Sequence, residues 1–214
     1  MRLSVSEIFY SLQGESLYAG LPCAFVRLAG CNLRCRYCDT TYAYEGGAIM
    51  EIPDIINKVE SFNCQLIEVT GGEPLLQKNT PALVSNLLDR GHTVLIETNG
   101  TLDIQAIDPR CIRIVDIKCP GSGESAKTRF SNFEHLSPRD QVKFVITDRA
   151  DYEYARNLLS DKWQNQPPVS VLFSPAFGML DPAVLAEWIL DGHLPVRLQL
   201  QLHKILWPTA ERGV

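Results

Sequence analysis

The chain has 214 residues, of which 45% are hydrophobic and 21% charged, and its formal net charge is -5. That length suits a single domain with a substantial core, and the acidic balance argues against a nucleic-acid partner held on a basic surface. No apolar run is long enough to span a bilayer and the N-terminus lacks the apolar centre of an export signal, so a cytoplasmic protein with reduced thiols and no membrane partner is expected.

Taken in order, the chain first presents Gln13-Gly14-Glu15 between apolar residues, which by itself reads as a surface turn. Residues 24–29 read as a buried strand with Arg27 as its exception. A buried guanidinium needs a carboxylate, either from the protein or from a substrate. The strand runs into Cys31-Asn32-Leu33-Arg34-Cys35-Arg36-Tyr37-Cys38. Three thiolates in one short loop can converge on a metal centre. A closed zinc site needs four protein ligands, and a cubane cluster has four irons to ligate, so three cysteines leave one position open for chemistry. Cys23, Cys64, Cys111 or Cys119 could close a structural zinc site, although none belongs to a second C-x-x-C pair. The odd total of seven cysteines speaks against a disulfide framework.

Beyond the loop, residues 52–62 have helical periodicity, with Ile55, Ile56 and Val59 on the apolar face. A strand over 66–70 leads into Gly71-Gly72-Glu73-Pro74, a helix over 80–90, and a strand over 93–98. A short segment with Ile104 and Ile107 precedes a strand over 112–118. The Gly- and Ser-rich stretch 119–129 reads as a mobile loop. Strand 141–147, helix 148–163, strand 169–173 and a helix opened by Asp181-Pro182 follow. Residues 196–202 are strand-like, and a polar tail closes the chain.

Alternating strands and helices predict a parallel sheet with right-handed crossovers. Polar residues gather where strands end, which in a parallel barrel is the active-site edge. The chain is too short for a complete barrel, so an α/β fold is expected: an open, partial TIM-like barrel of about six βα units with trimmed helices. One domain spans 1–214, with an N-terminal segment over about 1–20 and a C-terminal extension over about 196–214.

Two motifs connect this pattern to a family. The loop Cys31, Cys35 and Cys38, with aromatic Tyr37 ahead of the third cysteine, resembles the signature of the radical S-adenosylmethionine (radical SAM) enzymes. Gly71-Gly72-Glu73-Pro74, one βα unit later, resembles that superfamily's second motif. Alone it reads as a strand-to-helix turn; two glycines admit a close ligand, and Glu73 offers charge to an ammonium. Ser11 to Ser16, Arg27 to Leu33, Cys38-Asp39-Thr40, Glu97 to Gly100, Asp116 to Lys118 and His203-Lys204 further resemble the 7-carboxy-7-deazaguanine synthase family.

The resemblance implies a radical ring contraction, with loss of ammonia, on the route to queuosine: 6-carboxy-5,6,7,8-tetrahydropterin gives 7-carboxy-7-deazaguanine. It implies a 4Fe-4S cluster on Cys31, Cys35 and Cys38, and S-adenosylmethionine near Tyr37, Gly72, Glu73, Asp116, Ile117, Lys118, Ser174, Pro175, Ala176 and Phe177. It also implies Mg2+ on the Thr40 hydroxyl, and the pterin on Leu12, Gln13, Gly14, Arg27, Thr70 and Pro208. An electron donor such as a flavodoxin or ferredoxin is implied, and trimmed helices lead to the expectation of a homodimer. The rival readings are an activase that installs a glycyl radical on a protein, and a structural metal or electron-transfer module.

Overall fold

The structure is a computed structural model and describes residues 1–214. Its frame is one nine-stranded sheet: β1 (Arg2–Leu12), β2 (Pro22–Leu28), β3 (Ala48–Glu51), β4 (Leu66–Gly71), β5 (Thr93–Thr98), β6 (Ile112–Asp116), β7 (Gln141–Ile146), β8 (Ser170–Pro175) and β9 (Arg197–Leu198). The spatial order is β3-β1-β2-β4-β5-β6-β7-β8-β9, with free edges at β3 and β9. From β2 to β9 every neighbour is parallel, as expected for a partial barrel.

Four α-helices connect these strands, α1 (Ile52–Glu60), α2 (Thr80–Asp89), α3 (Arg149–Trp163) and α4 (Pro182–Asp191), and α5 (Leu202–Leu206) follows the last strand. α1 buries Ile52, Ile55, Ile56 and Val59 against the sheet. Each such side chain contributes about 1.5–3 kcal/mol on leaving water. Asp148 and Asp181 cap α3 and α4, accepting from the backbone N–H groups of Asp151 and Ala183. The crossovers from β5 to β6 and from β6 to β7 carry only 3-10 turns, which is where the helices are trimmed. No helix is long and apolar enough to cross a membrane.

Three elements depart from the sequence expectations. The sheet is mixed, because β1 pairs antiparallel with both β2 and β3. A register shift between Val5 and Glu7 interrupts the pairing of β1 with β2, and only Leu3, Val5 and Phe9 of the strand are buried. Residues 196–202 are not a strand beyond Leu198, since Gln199 and Gln201 turn their amides to the 13–17 segment and Leu202 starts α5. The start of the 119–129 stretch is packed: Cys119 and Ser122 are buried, and Gly121 N–H donates to the Asp151 carboxylate at 2.7 Å.

Period-two alternation sends one set of strand residues under the helices and the other onto the concave face. A closed barrel fills that interior with apolar layers. Here the concave face carries Arg27, Glu68, Thr70, Glu97, Asp116 and Lys143 around a cavity of about 280 Å³.

Candidate active site

The loop after β2 is fastened by its own backbone. Gly30 N–H donates to the Ala43 carbonyl at 2.8 Å, and Cys38 N–H to that of Cys35 at 3.2 Å. Arg34 Nη1 reaches back to the carbonyls of Cys31 and Leu33 at 2.9 and 2.7 Å. Cys31, Cys35 and Cys38 are half-buried and line the cavity. The other four cysteines are buried outside it; Cys23, Cys64 and Cys111 donate to backbone carbonyls. No three acidic, His or Cys side chains converge on a single-ion position. Three thiols on one wall, with no fourth protein thiol beside them, fit a multi-iron cluster with one open iron better than a closed zinc site. Burial pushes the Cys35 thiol up to about 11, and the Asp116 carboxylate adds to that.

The turn after β4 presses against this loop. Gly72 N–H donates to the Leu28 carbonyl at 3.2 Å. A Cβ on Gly72 would lie 2.3 Å from the Gly30 carbonyl oxygen, and one on Gly71 would lie 2.2 Å from that of Leu28. Glu73 differs from its expected role. Its carboxylate is fully buried and accepts from Leu75 N–H (2.9 Å), Thr98 Oγ1 (2.8 Å) and Asn99 N–H (2.7 Å). It pins the turn and does not line the cavity.

Along the next strands, Lys118 Nζ donates to Asp116 Oδ2 at 2.7 Å, while Asp116 Oδ1 and the Tyr37 hydroxyl are buried without a protein partner. Such orphaned groups at a cavity wall suit a polar ligand. Ile117 departs from expectation: alternation turns its side chain into the apolar core beside α3. Ser174, Pro175, Ala176 and Phe177 line the wall after β8.

Leu12, Gln13, Gly14, Arg27, Thr40 and Thr70 form the opposite half. Arg27 Nε donates to Glu7 Oε1 at 2.7 Å, and the Tyr42 hydroxyl donates to the same oxygen at 2.8 Å. No hydrogen bond engages either Arg27 Nη atom, so a protein acid takes one edge of the guanidinium and leaves the other for a ligand. Thr40 Oγ1 donates to Asp39 Oδ1 at 2.9 Å, and Lys204 Nζ lies 3.3 Å from Asp39. Pro208 is exposed on the tail and is not part of the wall, since residues 205–213 lie away from the cavity and only Val214 returns to it. Gln201, His203 and Lys204 take that place, with Val214 beside them.

Sequence reasoning missed a buried charge network. Lys143 bridges Glu15 and Glu97, the latter at 2.9 Å. Gln199 and Gln201 donate to Glu15 at 3.1 and 2.9 Å. A Cβ on Gly14 would lie 2.3 Å from His203 Nδ1, so the two chain ends meet over the cavity. The available signal was the one that singled out Arg27: Glu68, Glu97 and Lys143 are charges inside otherwise apolar strands.

The chain matches the model of the radical SAM superfamily over residues 26–115. It is 49% identical to a 7-carboxy-7-deazaguanine synthase of Chlorobaculum tepidum, covering 99% of this chain and 97% of the relative. It is 43% identical to the synthase of Koribacter versatilis, covering 99% and 100%. Its fold is similar to QueE from Escherichia coli, with a TM-score of 0.77 over 94% of each chain at 23% identity.

Proposed function

Because the chain belongs to the 7-carboxy-7-deazaguanine synthase family of the radical SAM superfamily, we propose that its cavity converts 6-carboxy-5,6,7,8-tetrahydropterin to 7-carboxy-7-deazaguanine with loss of ammonia. The chain is a carbon–nitrogen lyase, and the activase and electron-carrier readings give way to this one. The supporting observation is a single cavity lined by three thiols at one side and a half-free guanidinium at the other.

Cys31, Cys35 and Cys38 would hold the cluster. The orphaned Asp116 Oδ1 and Tyr37 hydroxyl, with Gly72 and the Ser174–Phe177 stretch, would hold S-adenosylmethionine. When bound, the pair supplies one electron and a carbon radical that removes a hydrogen atom from the substrate. The protein's own part is placement. Arg27 takes the pterin carboxylate, with Glu7 and Tyr42 setting the guanidinium plane. Thr70 and the Leu12–Gly14 stretch bound the ring, and the meeting of Gly14 with His203 excludes water. The Thr40 hydroxyl is a hard oxygen donor suited to Mg2+, which keeps several waters or substrate oxygens; chelation with EDTA that leaves turnover intact would contradict that role.

The whole chain acts as one domain, with residues 1–20 and 196–214 closing the substrate half. It works in the cytoplasm as a homodimer with an electron donor such as a flavodoxin or ferredoxin, and a single-chain mass in sedimentation would contradict the dimer. Substrate placement is tested by comparing 6-carboxytetrahydropterin with the same pterin lacking the carboxylate. Arg27→Ala should weaken binding of the first by about tenfold or more, leave the second unchanged and spare the iron content. Equal affinity of wild type for both pterins would contradict the assignment.

A further inference from the structure

Glu68 is the least expected residue on the concave face. It sits in the middle of β4, opposite Phe25 of β2, and is 4% exposed. Its carboxyl has one protein partner, the Gln13 side chain, whose Nε2 donates to Glu68 Oε2. No cation pairs with it. Lys143 of β7 is already shared by Glu15 and Glu97, and Arg27 of β2 is bonded to Glu7. The titratable and charged groups around Glu68 are thus Cys23 and Arg27 on β2, Glu97 on β5, Lys143 on β7, and Glu15 beside Gln13. Both Glu68 and Gln13 line the cavity.

The Gln13 amide is held at both ends. Its Oε1 accepts from Glu15 N–H at 3.0 Å, so its Nε2 must point at Glu68. In that orientation one amide N–H and one oxygen lone pair remain for a ligand. Without an acceptor at position 68 the buried Nε2 would lose its partner, and the amide would be free to turn.

We propose that Glu68 is a positioning residue for the pterin, acting through Gln13, whose amide it holds in the orientation that meets the substrate ring. This rests on the function proposed above. The charge state of Glu68 matters to it. Burial, with Glu97 nearby, pushes the Glu68 carboxyl up to about 8. At neutral pH it therefore keeps its proton, accepts from Gln13, and adds no third negative charge beside Glu15 and Glu97. Once ionised, it opposes a substrate that itself carries a carboxylate.

The test uses the reconstituted holoenzyme and its Glu68→Gln and Glu68→Leu variants. Dissociation constants for 6-carboxytetrahydropterin are measured anaerobically between pH 7 and 9, with KM and kcat at pH 7. Glu68→Leu should raise KM about tenfold or more, with a smaller effect on kcat. Glu68→Gln, which keeps an acceptor for Gln13 but cannot ionise, should recover most of that loss. Wild-type affinity should fall above pH 8, approaching about tenfold per unit as one proton is lost, and the glutamine variant should lack this fall. A Glu68→Leu KM equal to wild type, or a glutamine variant with the wild-type pH profile, overturns the inference. If Glu68→Leu does not fold, the pH profiles of the other two proteins decide. Wild-type enzyme that binds no pterin at any pH contradicts the proposed function itself, whereas wild-type binding matched by all variants contradicts only the role of Glu68.

Discussion

The backbone N–H of Glu73 donates to the carbonyl of Gly30 at 2.7 Å, which ties the turn leaving β4 to the glycine that precedes Cys31. The two motifs that carry the family resemblance are therefore one structural unit. The Glu73 side chain faces the other way and fastens that unit to the end of β5 through Thr98 and Asn99.

The fit of Gly72 against the cysteine loop leaves no room for a methyl group. Gly72→Ala would set a Cβ 2.3 Å from the Gly30 carbonyl oxygen and 2.7 Å from Cys31 Cβ. The loop must shift, at a cost of about 1–3 kcal/mol. The expected outcome is a lower iron-to-protein ratio after reconstitution and a lower melting temperature of the apoprotein. Full iron loading in this variant would show that the contact does not set the loop.

Glu73 supports the turn whether or not a ligand is bound. Removing its carboxylate leaves two backbone N–H groups and one hydroxyl without their acceptor, so Glu73→Ala should lower apoprotein stability by about 2–4 kcal/mol in urea melts. A carboxylate whose only task was to meet an ammonium would leave apoprotein stability unchanged.

Glu68 also predicts a pH dependence of stability. Its ordinary value is 4.5 and the folded value is about 8. Below the ordinary value, both folded and unfolded chains hold the proton and the group has no pH effect. Between the two values the unfolded chain releases the proton and the folded chain retains it, so stability falls as pH rises, and the loss is complete above the folded value. Glu68→Gln removes this term. The melting temperature of the variant minus that of wild type should therefore grow from pH 5 to pH 8, measured on apoprotein by scanning fluorimetry. A difference that stays constant across this range would mean that Glu68 ionises normally.

These predictions separate what was legible in the sequence from what was not. β4 to β8 announce themselves as short, nearly continuous apolar runs buried on both faces, and α1 to α4 by apolar residues at period 3.6, as Ile55, Ile56 and Val59 are. β1 escapes because only Leu3, Val5 and Phe9 of its residues are buried, and polar Ser4, Ser6 and Glu7 stand between them. The Leu and Gln alternation after Arg197 mimics a half-solvated strand, yet its glutamines serve Glu15 and Ser16 across more than 180 residues of sequence, a contact that no local pattern encodes. The three cysteines and Arg27 were legible because each breaks a local rule. Glu68, Glu97 and Lys143 break the same rule, but their meaning appears only when neighbouring strands set them side by side. Glu73 shows the converse: its place in the motif was legible, but the direction of its carboxylate depends on Thr98 and Asn99 one strand away.

The most direct measurement is anaerobic. The cluster is reconstituted, reductant, S-adenosylmethionine, Mg2+ and 6-carboxytetrahydropterin are added, and products are analysed by mass spectrometry. The account predicts 7-carboxy-7-deazaguanine from wild type and none after Cys35→Ala, since that thiol is one of three on the cavity wall. Formation of 5′-deoxyadenosine with no deazaguanine product would contradict the account, because the radical chemistry would then belong to a different substrate.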